Sequence, residues 1–274
     1  MSINTFQVMF QPLAKNCTLA VFTLLTLASG LQASPFAYVV SASNQFGTIN
    51  LTSGTFTSIG NTDRTLNSLT LSPGGILYSQ DGSGTLLTLN ATTAQVTPIG
   101  TGLPLAVNFR SDGALFGESG TTLYSVNSST GATTPVGDFG TNFIGDAAVF
   151  SSTSQLYMVA ATAATTSGLY TVNTTTGAAT LIGDNGFLVF SIFFSGNTLY
   201  GFTADPNTGF GPGPIVTLNT ATGAGTVVGP QDAALATVLG AVPFSGTTAA
   251  PEPATFALAG IATAFLFVAR KRRA

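Results

Sequence analysis

One thirteen-residue pattern occurs five times in this chain, and it limits the fold more than any other feature. The segments "TINLTSGTFTSIG" (residues 48–60), "TLNATTAQVTPIG" (88–100), "SVNSSTGATTPVG" (125–137), "TVNTTTGAATLIG" (171–183) and "TLNTATGAGTVVG" (217–229) align without gaps. In each, an Asn (Asn50, Asn90, Asn127, Asn173, Asn219) stands ten residues before a Gly (Gly60, Gly100, Gly137, Gly183, Gly229). Thr57, Thr97, Thr134, Thr180 and Thr226 hold one fixed place between them, and Ile or Val always precedes the Gly.

The unit reads as a β-hairpin. An Asn side chain hydrogen-bonds backbone two residues on, and Gly54, Gly131, Gly177 and Gly223 supply the positive φ that closes such a turn, Ala94 being the exception. Alternating Thr and Ile/Val on either side suits half-buried strands. Four of the five Asn residues also begin Asn-x-Ser/Thr triplets. They read as turn devices rather than glycan acceptors, because Asn219 keeps the turn without the triplet.

Upstream of each hairpin an aromatic recurs at Tyr38, Tyr78, Phe116, Tyr157 and Tyr200, in the last four units after a turn and an earlier apolar strand. A full unit therefore has four strands, A to D, with the aromatic on B and the repeated hairpin forming C and D. Asn-to-Asn spacings of 40, 37, 46 and 46 residues match the size of a four-stranded propeller blade. The first unit lacks strand A, while the last apolar strand, "ATVLGAVPF" (236–244), lacks B, C and D. Pairing the two closes a ring and removes the open seam. The expected fold is an all-β, five-bladed β-propeller over residues 34–246.

Both flanks read as processing signals. Lys15 precedes the uncharged run "CTLAVFTLLTL" (17–27) and the small-residue stretch "ASGLQAS", the pattern of a signal peptide over residues 1–33 cleaved after Ala33. Cys17 would leave with it, and the chain has no His. The mature body thus lacks disulfides, thiolate nucleophiles, Cys-ligated metals and the commonest general base. Between residues 34 and 250, nine acids face two arginines, a net charge of −7 that argues against a nucleic-acid partner.

The remaining segment, 247–274, contains Pro251-Glu252-Pro253, an apolar stretch through Val268 with Gly260 inside it, and the basic cluster Arg270, Lys271, Arg272, Arg273 at the terminus. It resembles the PEP-CTERM sorting domain of bacteria that make exopolysaccharide. The resemblance implies recognition by an exosortase, cleavage near the Pro-Glu-Pro, and delivery to the cell surface or matrix. The 16 uncharged residues 254–269 would span about 24 Å as a helix, slightly short of a roughly 30 Å hydrocarbon core. Snorkelling by the basic cluster covers that mismatch and holds the terminus in the cytoplasm. The expectation is a transmembrane anchor, transient or stable.

Antiparallel order puts D-to-A and B-to-C connections on one end of the ring and A-to-B and C-to-D turns on the other. Asp63, Asp138, Asp146, Asp184 and Asp232 are expected in D-to-A connections, Asp81, Glu118 and Asp205 in or near B-to-C connections, and Asp112 opposite. Such an acidic mouth could take a hard cation such as Ca²⁺, though Asp is also simply a turn residue. No organic cofactor is implied. Two functions follow: a non-enzymatic surface or matrix protein binding polysaccharide or a partner through propeller loops, or a glycoside hydrolase or lyase using two carboxylates. The absence of Trp weakens the second.

Overall fold

The structure is a computed structural model, and it describes residues 36–102, 106–140, 145–161 and 166–244. The chain divides into a unit over Pro35–Ser245 and a second comprising the two end segments, which lie outside the described residues. The signal-peptide and anchor-helix expectations fall on those segments.

Five four-stranded antiparallel sheets make up the described part of the body. Blade 1 joins β20 (Val238–Pro243) from the far end of the sequence to β1 (Phe36–Ser41), β2 (Gln45–Asn50) and β3 (Phe56–Asn61). Blade 2 is β4 (Thr70–Leu71), β5 (Leu77–Gln80), β6 (Thr85–Leu89) and β7 (Val96–Thr101). Blade 3 is β8 (Ala106–Phe109), β9 (Leu115–Ser119), β10 (Thr122–Val126) and β11 (Thr133–Asp138). Blade 4 is β12 (Gly145–Phe150), β13 (Leu156–Ala161), β14 (Ser167–Val172) and β15 (Ala179–Asp184), and blade 5 is β16 (Val189–Ser195), β17 (Thr198–Ala204), β18 (Pro212–Leu218) and β19 (Gly225–Gly229). The five A strands touch in the cycle β20, β4, β8, β12, β16 and back to β20, so the ring is closed. The expected five-bladed propeller and its terminal closure are both present.

A propeller blade is too thin to hold a core of its own, and the buried apolar side chains form five clusters, one per joint between blades. Val39, Ile49 and Ala241 of blade 1 pack on Phe193, Phe202 and Ile215 of blade 5, so the seam between chain ends is as well filled as the other joints.

The repeated hairpin is built as its residues dictate. Each Asn Oδ1 accepts from the amide two residues on at 2.8–2.9 Å and from the next at 2.9–3.2 Å. The Asn carbonyl accepts from the amide four residues on, at Gly54, Ala94, Gly131, Gly177 or Gly223. All five of those residues have positive φ, Ala94 at 60° included, so blade 2 departs from the pattern in residue type but not in conformation.

The Ile/Val-Gly ending has two roles that alternation alone does not reveal. In every C–D pair the register skips one residue of strand D, namely Ile59, Ile99, Val136, Ile182 or Val228. That residue is a β-bulge, which bends the outer strand and increases its twist. The Gly that follows lies against the C-to-D turn of the next blade. A methyl group on Gly100, Gly137 or Gly183 would overlap the carbonyl of Thr130, Thr176 or Thr222, and on Gly229 it would stand 2.7 Å from the Thr52 carbonyl, carrying the contact across the seam.

Candidate functional site

At the axis, strands A leave a cavity of about 10 Å³ lined by Asn67, Ser68, Asn108, Ser191 and Gly240, among others. That is room for about one water, so no ligand path runs through it. The plug is partly backbone: Gly240 of β20 approaches Ser68 and Leu69 too closely for any side chain. Any recognition by this body therefore belongs to its two ends and its rim.

At the D-to-A and B-to-C end, Asp63, Asp81, Asp138, Asp184, Asp205 and Asp232 each have a local partner. Asp63 pairs with Arg64 at 3.0 Å, and Arg64 reaches on to Asp81 at 3.1 Å, tying the connection between blades 1 and 2 to the B-to-C turn of blade 2. Burial pushes the Asp81 carboxyl up, but the Thr85 and Ser83 amides and the Arg64 guanidinium outweigh it and hold it below the usual carboxylate range. The Arg64 hydrogen bond lowers Asp63. Asp138 closes strand β11, accepting from Thr121 Oγ1 and the Gly140 amide at 2.7 Å, which keeps it low. Asp184 ends β15 and accepts from the Gly186 amide at 2.7 Å. Asp232 accepts from the Ala234 amide at 3.0 Å and the Phe56 amide at 3.2 Å; both lower its pKa, and the second clamps the last connection to the outer strand of blade 1.

Three placements differ in detail from the sequence expectation, those of Asp146, Asp138 and Asp184. Asp146 lies inside strand β12 rather than in a D-to-A connection, because that strand begins at Gly145. Glu118 lies within β9, 5% exposed, beside Asn108, Phe116, Leu123 and Leu156. Asp138 and Asp184 are the last residues of their strands. Asp112 does stand at the opposite end, where Arg110 at 2.7 Å and the Ala114 amide hold its pKa at about 2. Among the described residues, no three acid, His or Cys side chains gather as a metal cluster. Asp63, Asp81, Asp112, Asp138, Asp184, Asp205 and Asp232 each have a turn or ion-pair role.

Sequence reasoning missed Phe210. Its ring is 74% exposed at the tip of the seven-residue connection between β17 and β18, on the acidic end. Asp205 Oδ1 receives the Asn207 amide at 2.8 Å, and the Gly211 amide donates to Thr237 Oγ1 at 2.9 Å, fixing the loop to the closing connection. The available signal was an aromatic flanked by glycines outside any alternating run, "TGFGPG".

Five four-stranded sheets in a closed ring define a β-propeller, and one solved structure superposes on that fold. A crystal structure of a protein of unknown function from Bacteroides caccae superposes with a TM-score of 0.51 at 10% identity, covering 78% of this chain and 100% of that one. TolB from Acinetobacter baumannii aligns at TM-score 0.48 and 12% identity over 77% of this chain and 66% of its own. No curated protein has significant sequence similarity to the chain. At the other level, residues 249–273 match the PEP-CTERM protein-sorting motif, so this is a propeller carrying that motif. The motif implies export, a membrane-anchored C-terminal sorting signal and recognition by an exosortase. Pro251, Glu252, Pro253, Gly260, Arg270, Lys271, Arg272 and Arg273 all fall within the match, outside the described residues. Among the described residues no helix is long and apolar enough to cross a membrane.

Proposed function

We propose that the chain is a non-enzymatic protein of the cell surface or extracellular matrix, exported by its N-terminal signal, held in the inner membrane by its tail, and released there by an exosortase. Its propeller then binds exopolysaccharide or a matrix partner. The observation that carries this reading is the sorting motif over residues 249–273, following in sequence a closed propeller that presents turns at both ends. The hydrolase reading gains no support from the described aspartates. Asp63, Asp81, Asp138, Asp184, Asp205 and Asp232 are engaged by neighbouring amides or side chains.

Replacing Pro251, Glu252 and Pro253 together with alanine tests the sorting step. The triple variant should still be exported but accumulate in the membrane fraction at its uncleaved mass, while wild type reaches the surface or medium. Equal distribution of the two would reject exosortase sorting.

A further inference from the structure

The A-to-B and C-to-D end of the ring offers a site that the acids do not. Blade 2 carries an open groove of about 410 Å³ lined by Ile76, Thr88, Asn90, Gln95 and Thr97. Blade 4 carries one of about 390 Å³ at the equivalent place, lined by Gln155, Thr171, Asn173, Thr174 and Thr180. Each is walled by an A-to-B turn, strand C, the Asn turn and the start of strand D.

The grooves recur because the hairpin does. Thr88 pairs in register with Thr97, and Thr171 with Thr180. Blades 1, 3 and 5 repeat the hydroxyl pair as Thr48 with Thr57, Ser125 with Thr134 and Thr217 with Thr226. The strand-D partner is exposed in every blade. A cross-strand Thr pair alone is an ordinary sheet device. Here it forms the wall of an open depression in two blades and stands at the same register in the other three.

The lining selects a ligand class. No charged residue lines either groove. Of the two arginines in the body, Arg64 is taken by Asp63 and Asp81 and Arg110 by Asp112, so nothing here would neutralise a polyanion. An apolar anchor is not shared either, since the position of Ile76 in blade 2 is Gln155 in blade 4. What the two sites have in common is hydroxyl and amide groups, which donate and accept equally well and match a neutral polyhydroxylated chain. Open, aromatic-poor grooves bind weakly one at a time. Several on one rigid ring bind a long polymer by avidity.

We propose that this end of the propeller binds neutral polysaccharide through a hydroxyl-lined groove repeated in blades 2 and 4, with the pairs Thr88 with Thr97 and Thr171 with Thr180 as its polar wall. This inference rests on the polysaccharide reading above and narrows it to a place and a charge class.

The test uses the full chain in a zwitterionic detergent, run through native gels cast with dextran, galactomannan, a linear β-1,3-glucan or alginate. Wild type should be retarded by at least one of the three neutral polymers and not by alginate alone. Five-unit oligosaccharides of the retarding polymer should compete at least about 100-fold more weakly per sugar, as avidity requires. The variant Thr88→Val, Thr97→Val, Thr171→Val, Thr180→Val should lose about tenfold in retardation, and the matching Thr→Ser variant should retain it, separating lost hydroxyls from lost folding. Asp63→Asn with Asp232→Asn, at the other end, should change nothing. An undiminished valine variant, a serine variant as weak as the valine one, or retardation by alginate alone overturns the groove and leaves the polysaccharide reading standing. Retardation by none of the four polymers overturns both.

Discussion

Gly137 and Ala94 show how single residues set the distance between blades. At Gly137 the turn of blade 4 comes close enough that an added methyl would overlap the Thr176 carbonyl. At Gly60, the same position in blade 1, the neighbouring turn carries Ala94 in place of Gly, and an added methyl would sit 3.1 Å from the Ala94 methyl and 3.7 Å from the Thr93 carbonyl. The Ala94 methyl therefore holds that one joint wider. Gly137→Ala should cost about 1–3 kcal/mol, the usual cost of overpacking, and Gly60→Ala clearly less. Thermal melts of the two variants check this, and equal losses would contradict it. The Asn turn was legible because its hydrogen bonds span only four residues of sequence. The second Gly was not, since its constraint comes from another blade about 40 residues away, which no local pattern encodes. Asp146 was misplaced for a related reason: an Asp before an apolar run reads as a turn residue, whereas pairing with β13 extends strand β12 back to Gly145.

Among elements, β20 decides whether the ring holds. It supplies strand A of blade 1, pairing with β1 from Ala37 opposite Pro243 to Ser41 opposite Val238, and it brings buried Val238, Ala241 and Val242 to the two joints that flank the seam. Deleting residues 236–244 removes that strand and exposes the edge of β1. The melting temperature should fall by about 10 °C or more, given a loss of several kcal/mol of apolar burial in a body of this size. An unchanged cooperative melt would mean that the ring does not depend on its closing strand. This closure was readable from sequence, because the fragments at the two ends complement one another. The bulge in strand D was not, since Thr-x-Ile-Gly continues an alternating pattern and only the register shows the skipped residue. Nor was the brevity of β4, two residues long, whose role on the blade's inner edge is shared by the Leu66 to Asp81 bridge and by the Ser79 hydroxyl on the Ser68 carbonyl.

For the whole molecule, the ends of the propeller lie together: the Phe244 amide donates to the Phe36 carbonyl at 3.0 Å, with the two rings 6.4 Å apart. Entry to and exit from the described body thus occupy one place on the ring, at its A-to-B and C-to-D end. The sorting motif was legible in full, because it is a linear signal whose order of Pro-Glu-Pro, apolar run and basic cluster needs no fold to be read. The acidic end was legible as composition but not as a site, since sequence places carboxylates near one another without showing that Asp138, Asp184 and Asp232 already accept from amides of their own turns. The central claim is that this propeller is carried by its tail to an exosortase and parted from it. Intact-mass measurement of the wild-type protein recovered from the surface and matrix fraction tests that most directly. The account predicts a chain that ends near Pro251–Pro253 and lacks residues 270–273. A mature protein that keeps its terminal Arg-Lys-Arg-Arg cluster would contradict it and leave the tail a permanent anchor.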